Sequence, residues 1–241
     1  MKQNSVSRLG GVCAILLGVV STLAGITYLF LPPEQRLEVP GAQLLPSYAA
    51  NPTIVNLISC ELALIGILGL AIVPAISQLV QSENEGWVRW TSSLAYLGYA
   101  VLAVENLLTL GRLPNIAAAY VAGDASTRAV LAVTWRSSLD PQGWFGYAAI
   151  GLWIVVISLL ALRSNLLPRP LAYLGLVVAI LFSLVPISFL LHLPPLLIVV
   201  AAAQPITVTI WYIWMGLVVL RPTPSRLIQP THASVRPGSG Q

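Results

Sequence analysis

Residues 54–80 read IVNLISCELALIGILGLAIVPAISQLV, an apolar run broken by a single ionisable residue, Glu61. A helix needs about 20 predominantly apolar residues to cross the hydrocarbon core of a bilayer, and this stretch exceeds that length. A carboxylate inside such a segment is costly, so it marks a position where function is to be sought. Five further segments meet the same criterion: 9–31, 90–110, 144–162, 171–191 and 196–220. The third span carries the other acidic residue at hydrocarbon depth, Glu105. The reading is an all-α polytopic membrane protein, a bundle of six transmembrane helices within residues 1–220. The Pro-, Ser- and Gly-rich segment 221–241 has too little apolar surface to fold and is expected to be a disordered cytoplasmic tail.

Composition agrees. The chain has 241 residues, 57% hydrophobic and 8% charged, with a mean hydropathy of +0.84. Soluble domains carry about 25% charged residues, so an aqueous globular fold is excluded. The net charge of +4 is spread out, with no basic run able to follow a phosphate backbone, and nucleic acid is not expected as a partner. Cys13 and Cys60 both fall within apolar runs and read as small buried hydrophobes, not as a disulfide or zinc site. Lys2 and Arg8 precede an apolar core longer than the 7–15 residues of a cleavable signal, so the first helix is read as retained. Val12 is too bulky for the residue before a lipoprotein cysteine at position 13.

Basic residues set the expected orientation. With the N-terminus inside, the inner segments hold Lys2, Arg8, Arg89, Arg163, Arg169, Arg221, Arg226 and Arg236. The outer segments then hold Arg36, Arg112, Arg128 and Arg136, so both termini are expected in the cytoplasm. The outer connections 32–52 and 111–142 are long, and 126–138 reads as a short helix that lies on the membrane or caps the bundle. Tryptophans 87, 90, 144, 211 and 214 lie towards span ends as an interfacial belt, the last two deeper. Trp153 is central and is expected between helices.

Polar side chains concentrate in the outer half. At about 1.5 Å per residue, Glu61 lies roughly 10 Å and Glu105 roughly 8 Å below the outer ends of their spans. Gln204 lies roughly 12 Å deep in the sixth span, and Asn56, Asn106, Tyr28, Ser188 and His192 share that half. Spans two and three are joined by a short turn, which makes them antiparallel neighbours and places Glu61 near Glu105. Arg112 follows Glu105 by two helical turns and can reach back as a counterion. The candidate pocket residues are therefore Glu61, Glu105, Asn106, Gln204, Arg112 and His192. Each also has a structural reading: Gln204, Asn56 and Asn106 as interhelical glue at about 0.6 kcal/mol per bond, His192 as a loop histidine beside Pro194–Pro195. Pro74, Pro186 and Pro205 read as ordinary kinks.

Catalytic and cofactor signatures are absent: no Gly-x-Ser-x-Gly, His-Glu-x-x-His, Cys-x-x-Cys or phosphate-binding glycine loop. Asp124 and Asp140 are read as loop residues, which leaves no intramembrane aspartyl dyad. No catalytic residue, metal or cofactor is expected.

Between the fourth and fifth spans the chain runs Ala161-Leu-Arg-Ser-Asn-Leu-Leu-Pro-Arg-Pro-Leu-Ala-Tyr-Leu-Gly175. This inner turn, with Cys60-Glu61-Leu62, Tyr96-Leu-Gly-Tyr99, Glu105 and the last span from Pro205 through Trp211–Gly216, resembles the bacterial membrane family called domain of unknown function 4386. The resemblance covers roughly 9–221. It implies a six-helix integral protein of the bacterial inner membrane and no assigned activity. It also implies an arginine about one turn before Glu105, where this chain has Val101 and Leu102. The favoured function is a non-catalytic helical membrane protein with a buried polar pocket. Its partners would be the lipid bilayer and either another membrane protein or a small solute. The alternatives are a small-solute or proton-linked transporter or binding protein using Glu61 and Glu105, and a lipid-modifying intramembrane enzyme.

Overall fold

A computed structural model of the chain describes residues 5–36, 39–135, 139–140, 143–191 and 193–221. Among these are eight α-helices and no strand: α1 (Ser5–Leu29), α2 (Gly41–Ala50), α3 (Thr53–Val80), α4 (Glu85–Ala122), α5 (Ala125–Thr134), α6 (Trp144–Ser164), α7 (Arg169–Leu190) and α8 (Pro194–Leu220). Six of them, α1, α3, α4, α6, α7 and α8, are long and apolar enough to cross a membrane. The protein is thus a multi-pass, all-helical membrane protein. His192 and the segment 222–241 lie outside the described residues.

The six long helices form a ring in chain order, and α1 closes it against α8. The closure brings the start of α1 beside the end of α8, with Gly11 against Gly216 and Leu220. Small residues make the contact possible. Gly11, Gly18 and Gly25 recur every seven residues along one face of α1. A Cβ on Gly18 would lie 2.6 Å from Ile213 Cγ1 and 3.1 Å from the Thr209 carbonyl oxygen. One on Gly216 would lie 2.6 Å from the Gly11 carbonyl oxygen, so the two backbones touch. Thr209 Oγ1 donates to the Gly18 carbonyl at 3.0 Å and pairs with Thr22 Oγ1 at 2.9 Å.

The half of the bundle near the termini is filled by large rings. Trp153 and Trp211 are fully buried and meet edge-on at 6.5 Å, with Tyr212 against Trp211 at 4.6 Å. Trp153 Nε1 donates to Ser77 Oγ at 3.1 Å, and Ser77 pairs with Ser92 at 2.7 Å. Trp153 therefore packs between helices as expected, whereas Trp211 belongs to this core and not to an interfacial belt. Trp87 and Trp90 are half-exposed at the start of α4, as a belt requires. Cys13 is buried, but Cys60 is exposed. Cys60 shares the outward stripe of α3 with Leu57, Leu64 and Ile67, three- and four-residue steps that align on one face.

The far end departs most from expectation. The helix carrying the third span does not end near 110 but continues to Ala122, because residues 111–122 are Ala-rich and find something to pack against. That partner is α2, in a segment read as plain loop. Leu44, Leu45 and Tyr48 of α2 bury against Leu113 and Ala117 of the α4 extension, with Leu31 and Val55, in a second small core. Gln35 Nε2 donates to the carbonyls of Ser47 and Asn51, both at 3.0 Å, and Tyr48 donates to Asn56 Oδ1 at 2.8 Å. Burial pushes the Tyr48 hydroxyl above the ordinary phenol range, and its bond to Asn56 offsets part of that rise. The short helix expected at 126–138 is α5, which ends at Thr134; residues 136–138 lie outside the described residues. Asp124 caps it by accepting from Thr127 N–H at 2.8 Å, and α5 packs on α2 and α4.

Candidate functional site

The N-terminus of α6 organises the site. Gly143 adopts φ 69°, a left-handed conformation that glycine takes without steric cost, and turns the chain into the helix. Asp140 sits just ahead of it. Its carboxylate accepts from Gly146 N–H at 2.7 Å and Phe145 N–H at 3.2 Å, and its carbonyl accepts from Gly143 N–H at 3.0 Å. A negative group there satisfies otherwise orphaned donors and lies at the positive end of the helix dipole.

Glu105 of α4 holds the same segment from the side. Its Oε1 accepts from Leu139 N–H at 2.6 Å and from Asp140 N–H at 3.3 Å. Two carboxylates from different parts of the chain are thereby joined through one peptide unit. Close approach of the helices permits this: a Cβ on Gly98 would lie 2.9 Å from the Gly146 carbonyl oxygen.

Both carboxylates face a cavity of about 300 Å³ inside the ring, lined by residues of all six spans. Its walls are mainly apolar. Tyr99 of α4 and Tyr212 of α8, both buried and hydrogen-bonded hydroxyl to hydroxyl, stand at its deep end. Tyr28, Tyr147, Phe182 and Phe189 add further rings to the walls, and Tyr147 lies against Phe182 with centroids 5.5 Å apart. No Lys, Arg or His occurs among the described lining residues.

The sequence-derived candidates separate here. Glu105, Asn106 and Gln204 line the cavity. Asn106 turns its amide back along α4, donating to the Leu102 carbonyl at 2.8 Å. Glu61 does not line it. Its Oε1 accepts from Thr27 Oγ1 of α1 at 3.0 Å, and Oε2 is buried with no hydrogen-bond partner among the described residues. The stripe of α3 that faces the cavity is Ile58, Leu62 and Ile65, and position 61 is rotated about 100° from 62 toward α1. The two glutamates share a depth but not a cavity. Arg112 lies on the exposed α4 extension and is not among the described lining residues. His192 lies outside the described residues. Asp140, read from the sequence as a loop acid, is the addition. Its available signal was its place shortly before Gly143-Trp144, where a helix begins and a capping carboxylate is favoured.

The sequence model of a family described as domain of unknown function (DUF4386) matches residues 9–218. No curated protein and no solved structure matches the chain.

Proposed function

The chain belongs to the domain of unknown function 4386 family, a membership that assigns no activity, and from that premise we propose that it is a non-catalytic binding protein of the cell membrane. In this reading the far-end cavity holds a small, largely apolar molecule. One observation carries it: an apolar cavity of about 300 Å³, walled by all six spans, into which a few polar groups converge. That size lies at the lower end of ligand pockets, and mainly apolar walls with few fixed polar groups are their usual make-up. The eight-to-four distribution of basic residues supports cytoplasmic termini, which turns the cavity outward. Transport in addition to binding would require the Tyr99–Tyr212 contact at the deep end to part.

Thiol labelling tests the reading. In a background with Cys13→Ala and Cys60→Ala, a cysteine replaces Ala201, a half-buried lining residue of α8. A second variant places one at Val133 on α5, 82% exposed, as the control. Membrane-impermeant reagents applied from outside are expected to modify both. Modification at 133 with none at 201, in folded protein, would show that the cavity is closed to water and overturn the proposal.

A further inference from the structure

The cavity's lining is one-sided in charge. Glu105 and Asp140 contribute carboxylates, while none of the described lining residues is cationic. Among the described lining residues the counter-charge is the N-terminus of α6, equivalent to about half an elementary charge. Among the described lining groups, two carboxylates thus stand against one helix end. The remaining wall is suited to the same sign of guest. The faces of aromatic rings carry negative potential, and cations bind over them at distances up to about 6 Å. Tyr28, Tyr147, Phe182 and Phe189 supply such rings in the same lining. An anion would meet two like charges and no opposing side chain among the described lining residues. A strongly hydrated small ion would gain little from walls that are mostly apolar.

Resting on the binding reading above, we infer that this cavity selects a lipophilic monocation: an amine or quaternary ammonium bearing one ring or a short alkyl body. The charged head sits at Glu105 and Asp140, and the body reaches toward Tyr99 and Tyr212. The volume sets the limit on size. At roughly 30 Å³ for each water's share of liquid, the space corresponds to about ten waters, enough for a single-ring ammonium.

The test uses the Ala201→Cys protein with two thiosulfonate reagents matched in size, one ending in trimethylammonium and one in sulfonate. Each rate is divided by that reagent's rate at the Val133→Cys control, which removes intrinsic reactivity. The cationic reagent is expected to be favoured by about tenfold, the scale on which a charged cleft concentrates ions. Glu105→Gln keeps an oxygen to accept from Leu139 and Asp140 and removes only the charge. It is expected to lower that preference roughly threefold by speeding the sulfonate and slowing the ammonium. Benzyltrimethylammonium is expected to protect position 201, whereas phenylmethanol and phenylmethanesulfonate are not. Equal normalised rates, or equal protection by all three compounds, would overturn the charge selection and leave the cavity intact. Failure of both reagents at 201 removes the cavity reading and this inference with it.

Discussion

The two halves of the bundle are built from the same six helices and differ in what fills the space between them. Near the termini the ring is closed by backbone contact at Gly11, Gly18 and Gly216, and its centre is occupied by Trp153 and Trp211. At the far end the centre is a cavity, the helices are tied by a carboxylate clamp, and α2 and α5 pack on α4. The boundary falls at Tyr99 and Tyr212, which stand at the cavity's deep end while Tyr212 meets Trp211 of the dry core edge-on. Close packing on one side holds the ring together, so the other side can keep a cavity.

That contrast is broken most directly by emptying the filled half. Trp153→Ala removes a fully buried ring and the donor to Ser77, and is expected to cost about 3–5 kcal/mol, read as a lowered unfolding midpoint in detergent. Replacing the cavity-lining Val185 by Ala should cost markedly less, since its side chain already borders open space. Similar losses would mean that the space beside Val185 is filled in the folded protein and the cavity is not there. Gly18→Leu comes next. Overpacking of this kind costs about 1–3 kcal/mol, and here the Thr209 backbone as well as Ile213 must yield. Glu105→Ala in the far half should cost about 1 kcal/mol, because the Leu139 and Asp140 N–H groups lose an acceptor but lie where water can replace it. Thr27→Val removes one interhelical bond to Glu61 and is expected to cost about 0.6 kcal/mol. It should leave labelling at position 201 unchanged; a change there would tie Glu61 to the cavity after all.

What the sequence disclosed follows the same division. Length and apolarity set the spans: 54–80 became Thr53–Val80 and 144–162 became Trp144–Ser164. The inner-turn motif also reads directly in the structure, with Asn165 at φ 54° ending α6 and Pro168 preceding α7. The seven-residue recurrence of Gly11, Gly18 and Gly25 was present in the sequence as well, but only the partner helix shows that it is a seam. The far end was less legible. Apolar density falls at Gly111-Arg112, although the helix continues because α2 is there to cover it, a contact between segments more than sixty residues apart. Height along a helix follows from counting residues, and Glu61 and Glu105 do lie at similar height along the bundle, since Gly66 of α3 faces Tyr99 and Ala103 of α4. Direction around the helix depends on which neighbours flank it, and that separated Thr27-bound Glu61 from cavity-lining Glu105. Asp140 was missed because its place just before span 144–162 marks a helix cap, and a cap alone does not show that the carboxylate borders a cavity.

The smallest effect belongs to the outermost element and tests whether the cap is independent of the ring. Asp124 accepts from Thr127 N–H and from Ser126 Oγ, and the Thr127 backbone bond chiefly lowers its pKa from 3.8 to about 2. A carboxylate whose pKa is depressed on folding stabilises the folded form above the unfolded value. That contribution is lost as pH falls through the folded one. Hydrogen-exchange protection of the α5 amides, corrected for intrinsic rates, should therefore hold at pH 5 and decline between about pH 4 and pH 2. In Asp124→Ala, protection should be lower at pH 5 and lack that decline. Amides of α1 and α8 along the Gly18 seam should not change with either, because α5 packs on α2 and α4 and buries none of its own residues. A parallel loss of protection at the seam would show that acid reaches the ring through the cap, and the two halves would then have to be treated as one cooperative unit.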